Sequence, residues 1–176
     1  MKLNLREIIE IPGGSVPFAQ ELDTAMLDFP SVRAYTAPIT AEGKVVNTAG
    51  ILTLQGKLHA EMLCVCDRCG AEFPRTVDLD LHADITADAQ DDDPEVFTLD
   101  GDWLDVDEVL STCFILSMDT KCLCKPDCAG LCDRCGANLN LGPCRCQKPR
   151  DPRMAVLEQL LDNKTDEEEE AAHNSD

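Results

Sequence analysis

Between Cys122 and Cys146 the chain reads CLCKPDCAGLCDRCGANLNLGPCRC, and seven of the protein's 11 cysteines fall within those 25 residues. A hydrophobic core uses cysteine singly, as a small buried residue. Here the thiols come as Cys132-x2-Cys135 and Cys144-x-Cys146, with Gly136 directly behind the first pair. That is the spacing of a metal-ligand set. In a C-x2-C-G turn the short loop puts two thiolates on one side, and a residue without Cβ lets backbone N–H groups turn toward the sulfurs. The hexapeptide CDRCGA at 66–71 recurs letter for letter at 132–137, so the chain carries two such knuckles.

Ligand assignment rests on proximity. Cys132, Cys135, Cys144 and Cys146 can close a tetrahedral site through one turn and one short loop. Cys66 and Cys69 then need two more thiolates, and Cys124 and Cys128 are the best candidates. The rival arrangement is a single site that joins the two knuckles. Two structural Zn2+ ions are the expected cofactors. Cys64 is expected to be a buried thiol and Cys113 part of an apolar helix stripe, and Arg68, Arg134 and Arg145 lie where they could offset thiolate charge.

Disulfides fit poorly, because an odd number of cysteines leaves one over. Met1 to Glu10 already holds Lys2, Arg6, Glu7 and Glu10, so it does not read as a secretory leader. No apolar run approaches the roughly 18 residues of a spanning helix, and the expected location is the reducing cytoplasm, with no membrane partner. Fifteen basic against 34 acidic residues give a formal charge of −19, which argues against wrapping nucleic acid by general electrostatics. The charge is unevenly placed. Asp78 to Glu108 holds 13 acidic residues and no Lys or Arg, whereas Lys121 to Arg153 holds seven basic residues against three acidic ones.

The remainder predicts an α+β protein: an antiparallel β-sheet body with a few packing helices and a C-terminal cysteine-rich zinc module. Leu3 and Leu5 suggest a short strand. Phe18, Leu22, Met26 and Phe29 recur near helical spacing, so Pro17 to Leu27 reads as an amphipathic helix with proline in its first turn. From Val32 to Ala87 the alternation is β, broken at Gly43, Gly50 and Gly56, with the first knuckle at a connection between two long strands. Residues 87–101 read as an acidic loop. Asp105 with Glu108 caps a helix carrying Val106, Val109, Leu110, Cys113 and Phe114, with Trp103 as an aromatic anchor at its entry. The expected divisions are a body over 1–121 with the first knuckle at 66–69, a metal module over 122–150, a closing helix over 151–163 begun by Asp151-Pro152, and a disordered acidic tail over 164–176.

Cys66-x2-Cys69-Gly70 after a β region, an acidic loop, an amphipathic helix, DCAGLCDRCGANLN, a C-x-C and DPR before a helix together resemble the bacterial YceD family over most of residues 1–161. The chain departs from that family after the amphipathic helix, where Met118 to Cys122 replaces a proline-rich turn and leaves Cys122 without a fixed role. The resemblance implies a cytoplasmic, non-enzymatic factor needed for large-subunit (23S) ribosomal RNA accumulation, that is, for ribosome biogenesis, with no catalytic residues. The acidic body suits a basic partner, so the expected partner is a large-subunit ribosomal protein or assembly intermediate, or the rRNA itself, with no small-molecule substrate. Acidic Asp91, Asp92 and Asp93 are candidates for contact with a basic protein, and Arg145, Lys148 and Arg150 for contact with phosphate. No Phe, Tyr or Trp lies in Lys121 to Arg153 to stack on bases. A thiol redox protein or an iron–sulfur protein built on the C-x2-C pairs is the alternative.

Overall fold

The computed structural model describes residues 1–86 and 96–146. In chain order the elements are β1 (Lys2–Asn4), α1 (Arg6–Ile9), β2 (Ser15–Leu22), a 3-10 turn over Thr24–Met26, β3 (Val32–Tyr35), β4 (Ile39–Thr48), β5 (Ile51–Val65), β6 (Glu72–Thr86), β7 (Val96–Thr98), β8 (Trp103–Asp105) and α2 (Val106–Ser117). The fold is α+β. One six-stranded sheet runs β2-β4-β5-β6-β7, with β3 also pairing β5, and β1 with β8 forms a separate two-stranded ribbon. All pairings are antiparallel except β6 with β7.

The sheet is organised by its longest hairpin. β5 and β6 each run 15 residues and stay in register from Leu52 opposite Ile85 to Val65 opposite Glu72. Period-two alternation sends Leu52, Leu54, Leu58, Ala60, Met62 and Cys64 of β5 and Leu81, Ala83 and Ile85 of β6 into the core. Val77 and Leu79, nearer the hairpin tip, are half-buried against it. α2 packs against β6, β1 and β2 and buries Val106, Val109, Leu110 and Phe114. Phe114 meets Phe29 edge-on, with ring centroids 5.8 Å apart and planes at 80°. The Asp105 side chain caps α2 by accepting from the Asp107 N–H, and the Asp107 carboxylate pairs with the Met1 amino group. Leu104, not Trp103, fills the core at the helix entry. Trp103 is 45% exposed.

The expected helix over Pro17 to Leu27 is instead β2 followed by the 3-10 turn. Phe18 and Leu22 are four residues apart, a spacing that satisfies both a helical face and a strand face. The full ladder with β4 decides for the strand. Pro17 is compatible with it because β2 is the sheet's edge, where a missing N–H costs least. Gly43 and Gly56 do not break strands either. They face each other within β4 and β5, where a Cβ on Gly56 would lie 2.3 Å from the Glu42 carbonyl oxygen and one on Gly43 2.2 Å from that of Gln55. Gly50 does sit at a turn, with Ala49 and Gly50 both at positive φ as primed hairpin turns require. Buried Asn47 ties that turn to α1: its Nδ2 donates to the Ile8 and Ile9 carbonyls and its Oδ1 accepts from Gly50 N–H. Val96–Thr98, expected within the acidic loop, pairs parallel to β6 as β7.

The chain forms two units, Met1–Leu131 and a second beginning at Cys132. The body therefore extends ten residues past the expected limit at 121, and the stretch to Leu131 that carries Cys122, Cys124 and Cys128 belongs with the sheet. The closing helix and tail expected over 151–176 lie outside the described residues, as do Asp91, Asp92, Asp93, Lys148 and Arg150. No helix of the described residues is long and apolar enough to cross a membrane.

Gly56→Ala should destabilise the first unit by about 1–3 kcal/mol, because the obstructing atoms are backbone and cannot rotate away. Urea unfolding of wild type and variant checks this. An unchanged midpoint would mean that the two backbones do not approach as described.

Candidate metal centres

The two CDRCGA copies fold alike. In each the first cysteine's N–H donates to the alanine carbonyl, at 2.9 Å for Cys66 to Ala71 and 2.8 Å for Cys132 to Ala137. In each the glycine N–H returns to the first cysteine's carbonyl, at 2.8 Å for Gly70 and 2.9 Å for Gly136. Gly70 and Gly136 have φ of +67° and +69°, the left-handed region that closes such a turn without a Cβ penalty. Identical residues thus produce the same local geometry twice. The two turns differ in where their remaining ligands come from.

The first knuckle caps the β5–β6 hairpin and receives its other two thiols from the segment after α2. Cys66, Cys69, Cys124 and Cys128 bring their sulfurs within 4.8 Å of one another. Cys66 to Cys128 is 3.8 Å and Cys69 to Cys124 is 3.7 Å. A tetrahedron with metal–sulfur bonds of about 2.3 Å has edges of about 3.8 Å, so these four sulfurs fit one ion. Cys66, Cys69 and Cys128 are buried and Cys124 is half-buried. The second group, Cys132, Cys135, Cys144 and Cys146, is equally compact but drawn wholly from the second unit. Its Cys132 and Cys144 sulfurs are 3.3 Å apart.

This arrangement keeps the two knuckles in separate four-thiol groups, against the rival in which they share one. Cys64, Cys113 and Cys122 belong to neither group. Cys64 is a core residue, as expected, and burial pushes its thiol up to about 11. Cys122, expected to lack a fixed role, is buried in the same core. Its N–H donates to Asp67 Oδ2 at 2.6 Å, its carbonyl accepts from Asp67 N–H at 2.8 Å, and Arg75 Nη1 lies 3.8 Å from its sulfur.

Polar side chains of the first knuckle and β6 fasten the incoming segment. Arg68 Nη1 donates to the Cys128 carbonyl at 3.0 Å, Leu131 N–H donates to the Arg68 carbonyl at 3.2 Å, and Arg75 pairs with Asp119 at 2.6 Å. Arg68 is therefore a clamp rather than only a counter-charge. Arg134 and Arg145 are exposed and make no side-chain ion pair among the described residues. Sequence reading missed the parts played by Asp67, Arg68 and Arg75. The only available signal was that a charged pair, Asp-Arg, sits inside each C-x2-C.

Electrostatics divides each group. Burial opposes ionisation of Cys66, yet N–H groups of Cys124, Cys69 and Arg68 aim at its sulfur and bring its thiol down to about 6. N–H groups of Arg134 and Cys135 likewise lower Cys132, to about 7. Burial, then hydrogen bonding within the group, pushes Cys124 up to about 12, while a hydrogen bond to Cys135, then burial, does the same for Cys146. Each group so holds one thiol ready to ionise and at least one that only a cation could ionise near neutral pH. His59 on β5, raised by its 2.6 Å bond to Asp78 and by Glu61, stands with His82 on the sheet as an ordinary surface residue.

Filling the two centres near pH 7 should release at least the Cys124 and Cys146 protons, since both thiols titrate well above that pH. Affinity should therefore fall at least about tenfold per centre for each pH unit lowered, one proton per ion being the minimum. Zinc titration calorimetry in buffers of different ionisation enthalpy checks this. Heat that does not depend on the buffer would show that all four ligands are already thiolate.

Over residues 54–161 the chain matches the model of the family described as large ribosomal RNA subunit accumulation protein YceD. An uncharacterized protein of Mycobacterium tuberculosis is 27% identical, over 66% of this chain and 58% of its own length. A protein of Zea mays described as large ribosomal RNA subunit accumulation protein YCED homolog 1, chloroplastic, is 24% identical over 65% of this chain and 50% of its own. The chain thus spans about half the length of the curated relatives it matches. No solved structure matches it.

Proposed function

The chain belongs to the YceD family, and from that membership we propose that it is a cytoplasmic, non-enzymatic factor that supports large-subunit ribosomal RNA accumulation, built on two structural Zn2+ centres. The observation that carries this reading is the extent of the family match, which takes in both four-thiol groups, α2 and most of the long hairpin. The donor set supports zinc in a holding role. Four thiolates saturate a tetrahedral ion, whereas a catalytic zinc keeps one position for water or substrate. Four sulfurs within 4.8 Å of each other suit a single ion better than a multi-iron cluster, whose ligands attach to different irons and spread apart.

The partner we propose is a basic large-subunit ribosomal protein, or an assembly intermediate that contains one. The solvent face of the sheet holds a concavity of about 670 Å3 between β2, β4, β5 and β6, lined by Glu21, Glu42, Asp78 and Asp80 with Lys57 and His59. Together with the formal charge of −19, this face favours a cationic polypeptide over phosphate. Contact with rRNA then comes mainly through the bound protein.

Deleting the gene should lower large-subunit rRNA relative to small-subunit rRNA. Wild type should restore the ratio, and a chain carrying Cys66→Ser and Cys132→Ser should not. Quantifying both rRNAs in the three strains tests this. An unchanged ratio on deletion would overturn the proposed role, and full rescue by the double variant would remove the metal centres from it.

A further inference from the structure

The duplicated hexapeptide is a control experiment within one chain. Both copies of CDRCGA make the same turn, with the same two internal hydrogen bonds and the same left-handed glycine. Any difference in how firmly they hold a metal must come from their surroundings. In the first copy both central side chains are committed: the Asp67 carboxylate accepts from Cys122 N–H and the Arg68 guanidinium donates to the Cys128 carbonyl. Two backbone bonds, Asp67 N–H to Cys122 O and Leu131 N–H to Arg68 O, close the frame on either side. The residues thus held flank and include the second ligand pair, Cys124 and Cys128. Three of the four ligands are no more than 6% exposed.

Among the described residues the second copy makes none of these contacts. Asp133 and Arg134 are exposed, and the Asp133 carboxylate lies 3.8 Å from the adjacent Cys132 sulfur. Cys135 is exposed and Cys144 and Cys146 are half-buried. The loop between the ligand pairs, Asn138 to Pro143, buries no large side chain, and its Leu141 is 88% exposed. Within the loop the Asn138 side chain bonds Asn140, and Leu141 N–H donates to the Asn138 carbonyl at 3.1 Å. Cys132 is buried, but solvent, a chelator or a competing thiol can reach Cys135, Cys144 and Cys146, whereas in the first centre only Cys124 is half-buried and Cys66, Cys69 and Cys128 lie behind the frame that joins the hairpin to the segment after α2.

We infer that the Cys132/Cys135/Cys144/Cys146 centre is an exchangeable site for Zn2+, which gives up and takes up its ion while the Cys66/Cys69/Cys124/Cys128 centre stays filled. This rests on the reading of both groups as zinc centres. The order of residues 132–146 then depends on the supply of zinc, and that of the β body does not. The ion leaves to a competing ligand and the thiolates take protons from solvent, so no oxidant is needed.

The test uses the full chain loaded with two Zn2+ per molecule and challenged with excess EDTA. Release is monitored with a chromogenic indicator, and samples are quenched with an alkylating agent and mapped by mass spectrometry. Release should occur in two phases of equal amplitude. Each hydrogen bond of the frame slows opening several-fold, so the rates should differ by about tenfold or more. Early alkylation should fall on Cys132, Cys135, Cys144 and Cys146 and spare Cys66, Cys69, Cys124 and Cys128. Arg68→Ala, and independently the milder Asp67→Asn, should speed the slow phase and leave the fast phase unchanged. Two ions leaving in a single phase, early alkylation at Cys66 or Cys128, or a slow phase indifferent to both variants would each overturn this inference and leave two zinc centres standing. A chain that cannot be loaded beyond one ion would overturn both.

Discussion

Fourteen residue pairs of continuous register between β5 and β6 are the constraint on which the rest of the first unit depends. Because side chains alternate strictly along a strand, this one register decides that Leu54, Leu58, Ala60 and Met62 face inward together with Leu81 and Ala83. It provides the floor on which α2 sits, and it offers β4 and β3 successive stretches of one edge of β5. It also carries Cys66 and Cys69 out to the hairpin tip, beyond the last ladder pair, where the backbone is free to form a C-x2-C-G turn. A slip of one residue would bury the charged face and move both thiols away from Cys124 and Cys128.

The link from fold to candidate function runs through polar contacts at that tip. The segment between Asp119 and Leu131 has few large apolar side chains, so hydrophobic burial alone cannot hold it. It is held by Arg75 to Asp119, by the paired bonds between Asp67 and Cys122, and by Arg68 to the Cys128 carbonyl. The side-chain bonds among these have a charged partner, which makes each stronger than a neutral one. Together they hold the segment that supplies two of the thiols against the turn that supplies the other two. No such contacts are made by Asp133 or Arg134 among the described residues, which is why we infer that order there rests more on the ion itself.

Strands, core and the grouping of the thiols are legible in the residues because each rests on short-range regularity. Alternation over 15 residues admits no helical solution, and four cysteines within 15 residues can close on one ion with little choice of partner. Joining Cys66 and Cys69 to Cys124 and Cys128 was reachable by elimination, although more than 50 residues separate the pairs. Where the sequence is ambiguous, expectation and structure part for identifiable physical reasons. Phe18 and Leu22 fit either period, and Pro17 starts a helix as readily as it occupies an edge strand. Gly43 and Gly56 resemble breaks one strand at a time, and only their pairing shows that they permit close approach. The end of the first unit at Leu131 depends on Asp67, Arg68 and Arg75 reaching residues far along the chain, which no local pattern announces.

We propose that each four-thiol group holds one Zn2+ through sulfur alone. X-ray absorption at the zinc edge of the fully loaded chain should then show an average coordination of four sulfurs at about 2.3 Å, with no nitrogen or oxygen and no neighbouring metal. Coordination by lighter atoms, or a metal–metal distance short enough to detect, would contradict it, because either would mean that the eight cysteines are shared in some way other than four and four.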